Sequence, residues 1–308
     1  MLDRLDAMSI LVDVVDKGSF SAVSRSRRIP LPTVSRKVAL LEQHLGAKLL
    51  TRSTRKLALT DAGEAYVATA RRILETVGDA EARAAGEYNS PSGEIIVAAP
   101  VLFGRRYMLP IVTEFLAAYP AIRARLLLSD SNAHLIDERI DMAVRVGRLP
   151  DSSLRAMSVG EMRMVVCVSP RLLAAHGMPV TPDRLSYLPI LSFDRLTPTT
   201  NWAFRDPNGR AVIDVPIEPR LSVSTADAAV EAAIDGVGAT RVLHYQCADA
   251  VRAGSLKVIL RDFEPEPLPI HLLHPERDSL PFKTRAFLDF AADRMRSRLR
   301  RLVESDPG

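Results

Sequence analysis

LPTVSRKVALLEQHLG, residues 31–46, reads as one short amphipathic helix, and the fold of the first part of the chain follows from it. Pro32 suits a first helical turn, where its missing N–H is not needed. Val34, Val38, Leu41 and Leu45 recur at i, i+4, i+7 and i+11, the spacing of one buried stripe. Thr33, Arg36, Lys37 and Gln43 take the opposite face, with Ser35 at its edge. Hydroxyls and cations at the start of a short helix suit the DNA major groove: leading side chains reach base edges and cations meet phosphates.

The flanks complete a helix-turn-helix. Met8, Leu11, Val12 and Val15 mark a first helix ended by Gly18. Ser19 or Ser21 caps a second helix running to Arg27, and Ile29-Pro30 makes the turn. Residues 48–50 and 56–59 read as short strands around a basic wing, Thr51-Arg52-Ser53-Thr54-Arg55. Solvated charge on an ordinary three-helix unit is the plain alternative. Charge distribution argues against it: residues 1–60 carry +6, whereas the whole chain of 308 residues carries +4, leaving −2 for the remainder. The cationic excess sits where phosphate binding requires it.

With 47% hydrophobic and 25% charged residues, the chain can build two or three cores. Cys167 and Cys247, far apart in sequence, argue against a disulfide framework. The start is too acidic for a signal peptide, and no apolar run approaches 18 residues. A cytoplasmic protein without a membrane segment is expected.

Residues 60–88 lack proline and read as a long helix capped by Thr60. Tyr66, Ala70, Ile73, Val77, Ala80 and Ala84 form a heptad seam that the small head cannot bury alone. Residues 89–93, NSPSG, are a hinge by composition. Beyond them come strands at 94–99, 123–128 and 142–146, with helices at 105–118 and 134–139. This alternation implies βαβ crossovers and a mostly parallel sheet. Strand candidates at 165–168, 190–193 and 221–223 suggest a second lobe, with Asp206-Pro-Asn-Gly209 a hairpin turn before 211–215. A helix at 226–234, a returning strand at 268–273 and a closing helix at 282–302 complete the reading.

GSFSAVSRSRRIPLPTVSRKVALLEQHLGAKLLTRSTRKLALTDAGEAY, about 50 residues, resembles the N-terminal signature of LysR-type transcriptional regulators. Gly18-Ser19-Phe20-Ser21, Val34-Ser35-Arg36, Leu41-Glu42, Leu45-Gly46, Leu49-Leu50, Arg52, Leu59-Thr60 and Ala62-Gly63 carry the likeness. Many family members have polar residues just before the helix proline. Here Pro30 and Leu31 stand there, so base reading falls on Thr33, Ser35 and Arg36. The resemblance implies an α+β multi-domain protein: a winged helix-turn-helix (1–60), a dimerisation helix (61–89) and a two-lobed α/β effector domain (90–308). Lobe I would span about 93–164 plus 268–300, and lobe II about 165–267. It assigns Ser21, Pro32, Thr33, Ser35, Arg36, Lys37, Arg52, Ser53, Thr54, Arg55 and Lys56 to promoter DNA. It also implies a homodimer or a homotetramer, a small-molecule effector, and RNA polymerase as a further partner the family allows.

The C-terminal order resembles the same family's effector half through Leu128-Ser129-Asp130, DMAVRVG at 141–147 and LPDSSL at 149–154. Ligands in such sheets sit at strand C-terminal ends. The candidates are then Pro100, Val101, Leu102, Ser129, Gly147, Arg148, Thr197, Pro198 and Thr225, the last with the free N–H groups of the helix it starts. LRDFEPEPLPIHLLHP (260–275) resembles a subgroup that includes regulators of aromatic-acid efflux and host-contact genes.

No cofactor or metal is expected. His271 and His274 are three apart on a strand and point to opposite faces, and Gly236-x-Gly238 follows a helix, unlike a dinucleotide fingerprint. Cys167 reads as inert core, with a Cys167–Cys247 redox pair the alternative. The arginines at 294–301 read as the wet face of a terminal helix. A small-molecule-binding protein or an enzyme on the two-lobed half is the competing class, but no nucleophile–base set supports catalysis.

Overall fold

The computed structural model describes residues 3–53, 56–84, 90–130, 140–149, 154–193, 200–209, 211–275 and 280–304. The chain divides into two compact units, 1–90 and 91–308.

The first unit begins with α1 (Arg4–Lys17). Asp3 caps it by accepting the Asp6 N–H at 3.2 Å, and Gly18 ends it at φ +62°. In α2 (Phe20–Arg27) the cap is Ser19, whose hydroxyl accepts the Ala22 N–H at 3.3 Å; Ser21 lies exposed on the helix. Arg28 closes α2 in the left-handed region, and the Ser24 hydroxyl bonds the Ile29 carbonyl at 2.7 Å to set the turn. Then follows α3 (Leu31–Leu45), which has no side-chain cap and carries Pro32 in its first turn. Val34, Val38 and Leu41 are buried against Ala7, Ile10, Leu11 and Val14 of α1, with Val23 and Leu49. Each such side chain stabilises the unit by roughly 1.5–3 kcal/mol.

Two expected stripes shift. Leu45, the last member of the α3 stripe, is 38% exposed, because α3 outruns the helix it packs on. In α1 the buried set is Ala7, Ile10, Leu11 and Val14, while Val12 and Val15 pack at the rim. The wing is a tight hairpin: β1 (Leu50–Ser53) pairs antiparallel with β2 (Lys56–Leu59), from Leu50 opposite Leu59 to Ser53 opposite Lys56. The first strand thus begins at Leu50 and not at 48, so Thr51, Arg52 and Ser53 belong to a strand and not to a loop. Thr54 and Arg55 lie outside the described residues.

Glu42 joins these parts. Its carboxylate is 8% exposed and accepts the N–H groups of Leu49 (2.9 Å) and Leu50 (3.1 Å) and the Lys48 ammonium (2.7 Å). Burial alone would raise its pKa; Lys48 and the two amides outweigh burial and lower it. Thr60 then donates to the Lys48 carbonyl (2.7 Å) and accepts the Gly63 N–H (2.9 Å), starting α4 (Asp61–Ala84) as expected. Gly63 is required: a Cβ there would run into the Leu49 carbonyl.

The second unit holds two mixed five-stranded sheets, each built from parallel pairs and antiparallel pairs. In chain order come β3 (Gly93–Ala99), α5 (Val101–Phe103), a π-helical turn (Gly104–Met108), α6 (Leu109–Ala118), β4 (Ile122–Leu128), β5 (Met142–Val146), β6 (Leu154–Met162) and β7 (Met164–Val168). Next are α7 (Pro170–His176), β8 (Ile190–Phe193), β9 (Asn201–Arg205), β10 (Val212–Pro216), β11 (Pro219–Val223), α8 (Ala226–Ile234), β12 (Ala239–Leu243), α9 (His244–Arg252), β13 (Lys257–Ile259), β14 (Leu268–Pro275) and α10 (Phe282–Glu304). Sheet I has the order β4-β3-β5-β14-β6 and sheet II β11-β8-β12-β7-β13. The expected mostly parallel arrangement holds in strand direction, four of the five strands in each sheet running one way; β14 in sheet I and β7 in sheet II are the antiparallel members. The chain crosses between the sheets twice, from β6 to β7 and from β13 to β14. The helix expected from 105 starts at 101, and the one expected at 134–139 lies outside the described residues. The hairpin turn at Asp206 forms as expected between β9 and β10.

Glu42→Gln is expected to destabilise the first unit by about 1–3 kcal/mol at pH 7, since buried amides lose a charged acceptor. A lowered folded pKa contributes stability above the ordinary value of 4.5 that fades as pH falls through the folded value. The gap between wild type and mutant in urea unfolding should therefore narrow below pH 4.5. Gly63→Ala should cost about 1–3 kcal/mol by the same measurement, as overpacking against backbone does.

Candidate nucleic-acid interface and inter-lobe cleft

On α3, Pro32 and Arg36 are exposed, while Thr33 and Ser35 are half-buried at the helix edge. Among the described residues, Arg36 has no ion-pair partner. Lys37 differs from expectation: its ammonium pairs with Asp6 of α1, so it ties helices together. Arg27 does the same, bonding Asp13 at 2.6 Å and Ser9 at 2.5 Å. Arg25 and Arg28 are exposed cations on α2 and its cap that the sequence reading passed over. Arg52, Ser53 and Lys56 lie on the paired strands of the hairpin.

The seam on α4 is divided. Ala70 and the unforeseen Val67 are buried in the head's own core, and Tyr66 packs against it. Arg71 pairs with Asp16 of α1. The head therefore covers the first turns of the seam, and what remains uncovered is Ile73 (37% exposed), half-buried Val77 and exposed Ala80. Ala84 is the last described residue of α4.

In the second unit, Pro100 precedes α5, Val101 is exposed, and Leu102 packs on the core of sheet I. The Val101 N–H donates to Asp130 Oδ1 at 3.1 Å, so the chain's own carboxylate occupies this helix start. Ser129 is exposed after β4, Gly147 follows β5 at φ +111°, and Arg148 is exposed beside it. Thr197 and Pro198 lie outside the described residues. Thr225 sits at the start of α8, but its N–H groups are not all free. Asp227 bonds the Thr225 hydroxyl and the helix amides with Arg105 nearby, and these contacts outweigh its burial to lower its pKa. A ligand carboxylate would have to displace that side chain.

The two sheets meet through α9. Tyr245, on lobe II, is 2% exposed within the core of sheet I, edge-on to Phe103 at 5.3 Å and to Tyr107 at 6.0 Å. Burial raises its phenol pKa. Arg106 reaches across to the Tyr245 carbonyl (3.1 Å) and to Asp249. Where the chain crosses, Arg163 and Glu264 form a two-pronged ion pair at 2.6 and 2.7 Å. Nothing in the sequence pattern of α9 marked Tyr245 as a residue of the other lobe.

Cys167 and Cys247 come together as buried free thiols on one face of sheet II. Their mutual hydrogen bond, with burial, pushes the Cys167 thiol well above its usual range, and such thiols are poor nucleophiles. No metal-holding cluster occurs among the described residues. Arg294 and Arg298 both bind Glu114 (2.7 and 2.6 Å), which keeps the arginine run of α10 on its own unit. Among the described residues no helix is long and apolar enough to cross a membrane.

A helix-turn-helix with an open, cation-bearing third helix, joined to a two-lobed α/β unit, defines a DNA-binding transcriptional regulator with an effector-binding domain. Residues 5–64 match the model of the bacterial regulatory helix-turn-helix protein of the lysR family, and residues 89–296 match the LysR substrate binding domain. The chain belongs to the LysR family. It is 31% identical to a transcriptional repressor of Pseudomonas aeruginosa, over 95% of this chain and 92% of that one. It is 29% identical to the transcriptional activator AaeR of Escherichia coli, over 95% and 94%. The solved structure of CrgA from Neisseria meningitidis superposes with TM-score 0.60 at 28% identity, covering 94% of this chain and 98% of that one. These relatives are regulators, not enzymes.

Tyr245→Ala is expected to cost about 3–5 kcal/mol in urea unfolding of the full chain, as large aromatic truncations do. Tyr245→Phe should cost under about 1 kcal/mol, because among the described residues the hydroxyl meets only the Gln246 amide, at 3.4 Å.

Proposed function

We propose that the head reads promoter DNA through Thr33, Ser35 and Arg36 of α3, while the wing residues Arg52 to Lys56 and Ser21 hold phosphates. The observation that carries this reading is the exposed Arg36, unpaired among the described residues, beside half-buried hydroxyls on a helix whose other face is core. Lys37 takes a supporting role, because Asp6 already neutralises it. The domain division is read as head to about residue 60, linker helix to 89 and effector domain beyond. Ile73, Val77 and Ala80 are the dimer seam, with Ala84 extending it, and two heads so paired would address half-sites in adjacent major grooves. A dimer of such dimers would bend the DNA between two sites, and an activator form would contact RNA polymerase. Such work is done in the cytoplasm.

The effector binds between the lobes and acts only by favouring one arrangement over another. Tyr245 and the Arg163–Glu264 pair support a junction that shifts by small steps in preference to wide opening.

Arg36→Ala should weaken operator binding by about 1–3 kcal/mol and relax specificity, whereas Arg55→Ala should weaken all sequences alike and flatten the salt slope by about one. Gel shifts across a salt series with the DNA upstream of its own gene measure both; unchanged binding in both variants would refute the assignment. Ile73→Glu should shift the chain toward monomer in sedimentation, since it places a charge on the uncovered seam.

A further inference from the structure

Arg241, on β12, is half-buried, and desolvation alone lowers the pKa of its guanidinium. It lies over the Phe204 ring at 5.4 Å, and among the described residues no carboxylate, hydroxyl or carbonyl reaches it. Buried charges are ordinarily paired, and an arginine cannot escape the cost by losing its proton. A cation–π contact offsets only part of it.

The neighbouring strand supplies a second unsatisfied group. Thr240 pairs with Leu191 of β8, so Arg241 and Ser192 come next along the two strands, on the face that holds Ala239 and Ile190. Ser192 is 1% exposed, and among the described residues its hydroxyl has no partner. Two residues on, Leu243 packs against the core of sheet I, which places Arg241 toward the inter-lobe end of sheet II. This is also the C-terminal end of β8, where open α/β sheets take their ligands. The helix starts of α5 and α8 are already taken by Asp130 and Asp227.

We propose that Arg241 and Ser192 form the receptor for the carboxylate of a small organic acid, an assignment that rests on the effector reading and names the ligand class. A guanidinium accepts a carboxylate through two parallel N–H bonds, and the serine hydroxyl adds a third donor. A single cation matches a monoanion and leaves a dianion half-neutralised, so phosphate is the weaker fit.

The test is calorimetric titration of the full-length protein with propionate, hexanoate and inorganic phosphate at constant ionic strength. Saturable carboxylate binding, at least tenfold weaker in Arg241→Gln and intermediate in Arg241→Lys, is the expected result. Phosphate should bind at least tenfold more weakly than the carboxylates, and Arg300→Gln, exposed on α10, should match wild type. Without ligand, Arg241→Met should melt above wild type, since it removes a half-buried charge that no described residue pairs. Equal binding by wild type and Arg241→Gln, tighter binding of phosphate, or no carboxylate binding at all would overturn the proposal. If carboxylates bind through Arg241 yet leave DNA affinity unchanged, the site stands and the effector reading fails.

Discussion

One buried carboxylate holds the DNA-binding head in its shape. Glu42 ends the buried face of α3 and takes the Leu49 and Leu50 amides, where the wing strand begins, together with Lys48. Leu49 and the hairpin's Leu50, Leu57 and Leu59 pack on the same core as α3, and Glu42 adds the polar tie that fixes the angle between helix and wing. Thr60 and Gly63 extend the same junction, bringing α4 against the Leu49 carbonyl. Helix, wing and linker therefore move as one body, so a change at α4 can reach the DNA face.

The second unit is organised around a different constraint. Each lobe contributes its own sheet, yet Tyr245 places a lobe II side chain in the lobe I core, and Arg106 closes over it. An aromatic anchor of this kind resists wide opening, because withdrawing it exposes a large apolar surface. The crossing strands, tied by Arg163 and Glu264, add a second fixed point. Ligand information in such a unit travels through small displacements of packed elements.

Much of the head was legible because its signals are local. Proline, glycine and serine punctuation marked α1 to α3, and the 3.6-residue period named Val34, Val38 and Leu41 correctly. Leu45 and the α1 stripe were misjudged because periodicity gives a face but not how far the partner helix extends over it. Lys37 looked free for the same reason: its partner Asp6 is 31 residues away. In the α/β unit, β8, α8, β14 and α10 were readable from apolar runs and turns. β6, α7 and α9 were not: only Val159 and Met162 of β6 are buried, α7 has seven residues, and α9 buries polar His244 beside Tyr245 and Cys247, so no apolar run marks them.

What the sequence determined by itself is the family, the winged head, the concentration of positive charge there, and the alternation of strands and helices beyond the hinge. These depend on spacings within about 50 residues. The tertiary structure alone decided which polar groups are spent and which remain open. It paired Lys37, set Asp130 and Asp227 at the starts of α5 and α8, covered Tyr66 and Ala70 of the α4 stripe, and left Arg241 and Ser192 without polar partners among the described residues. The reason is that satisfaction of a charge or hydrogen bond is a property of whatever packs beside it, and those neighbours come from distant parts of the chain.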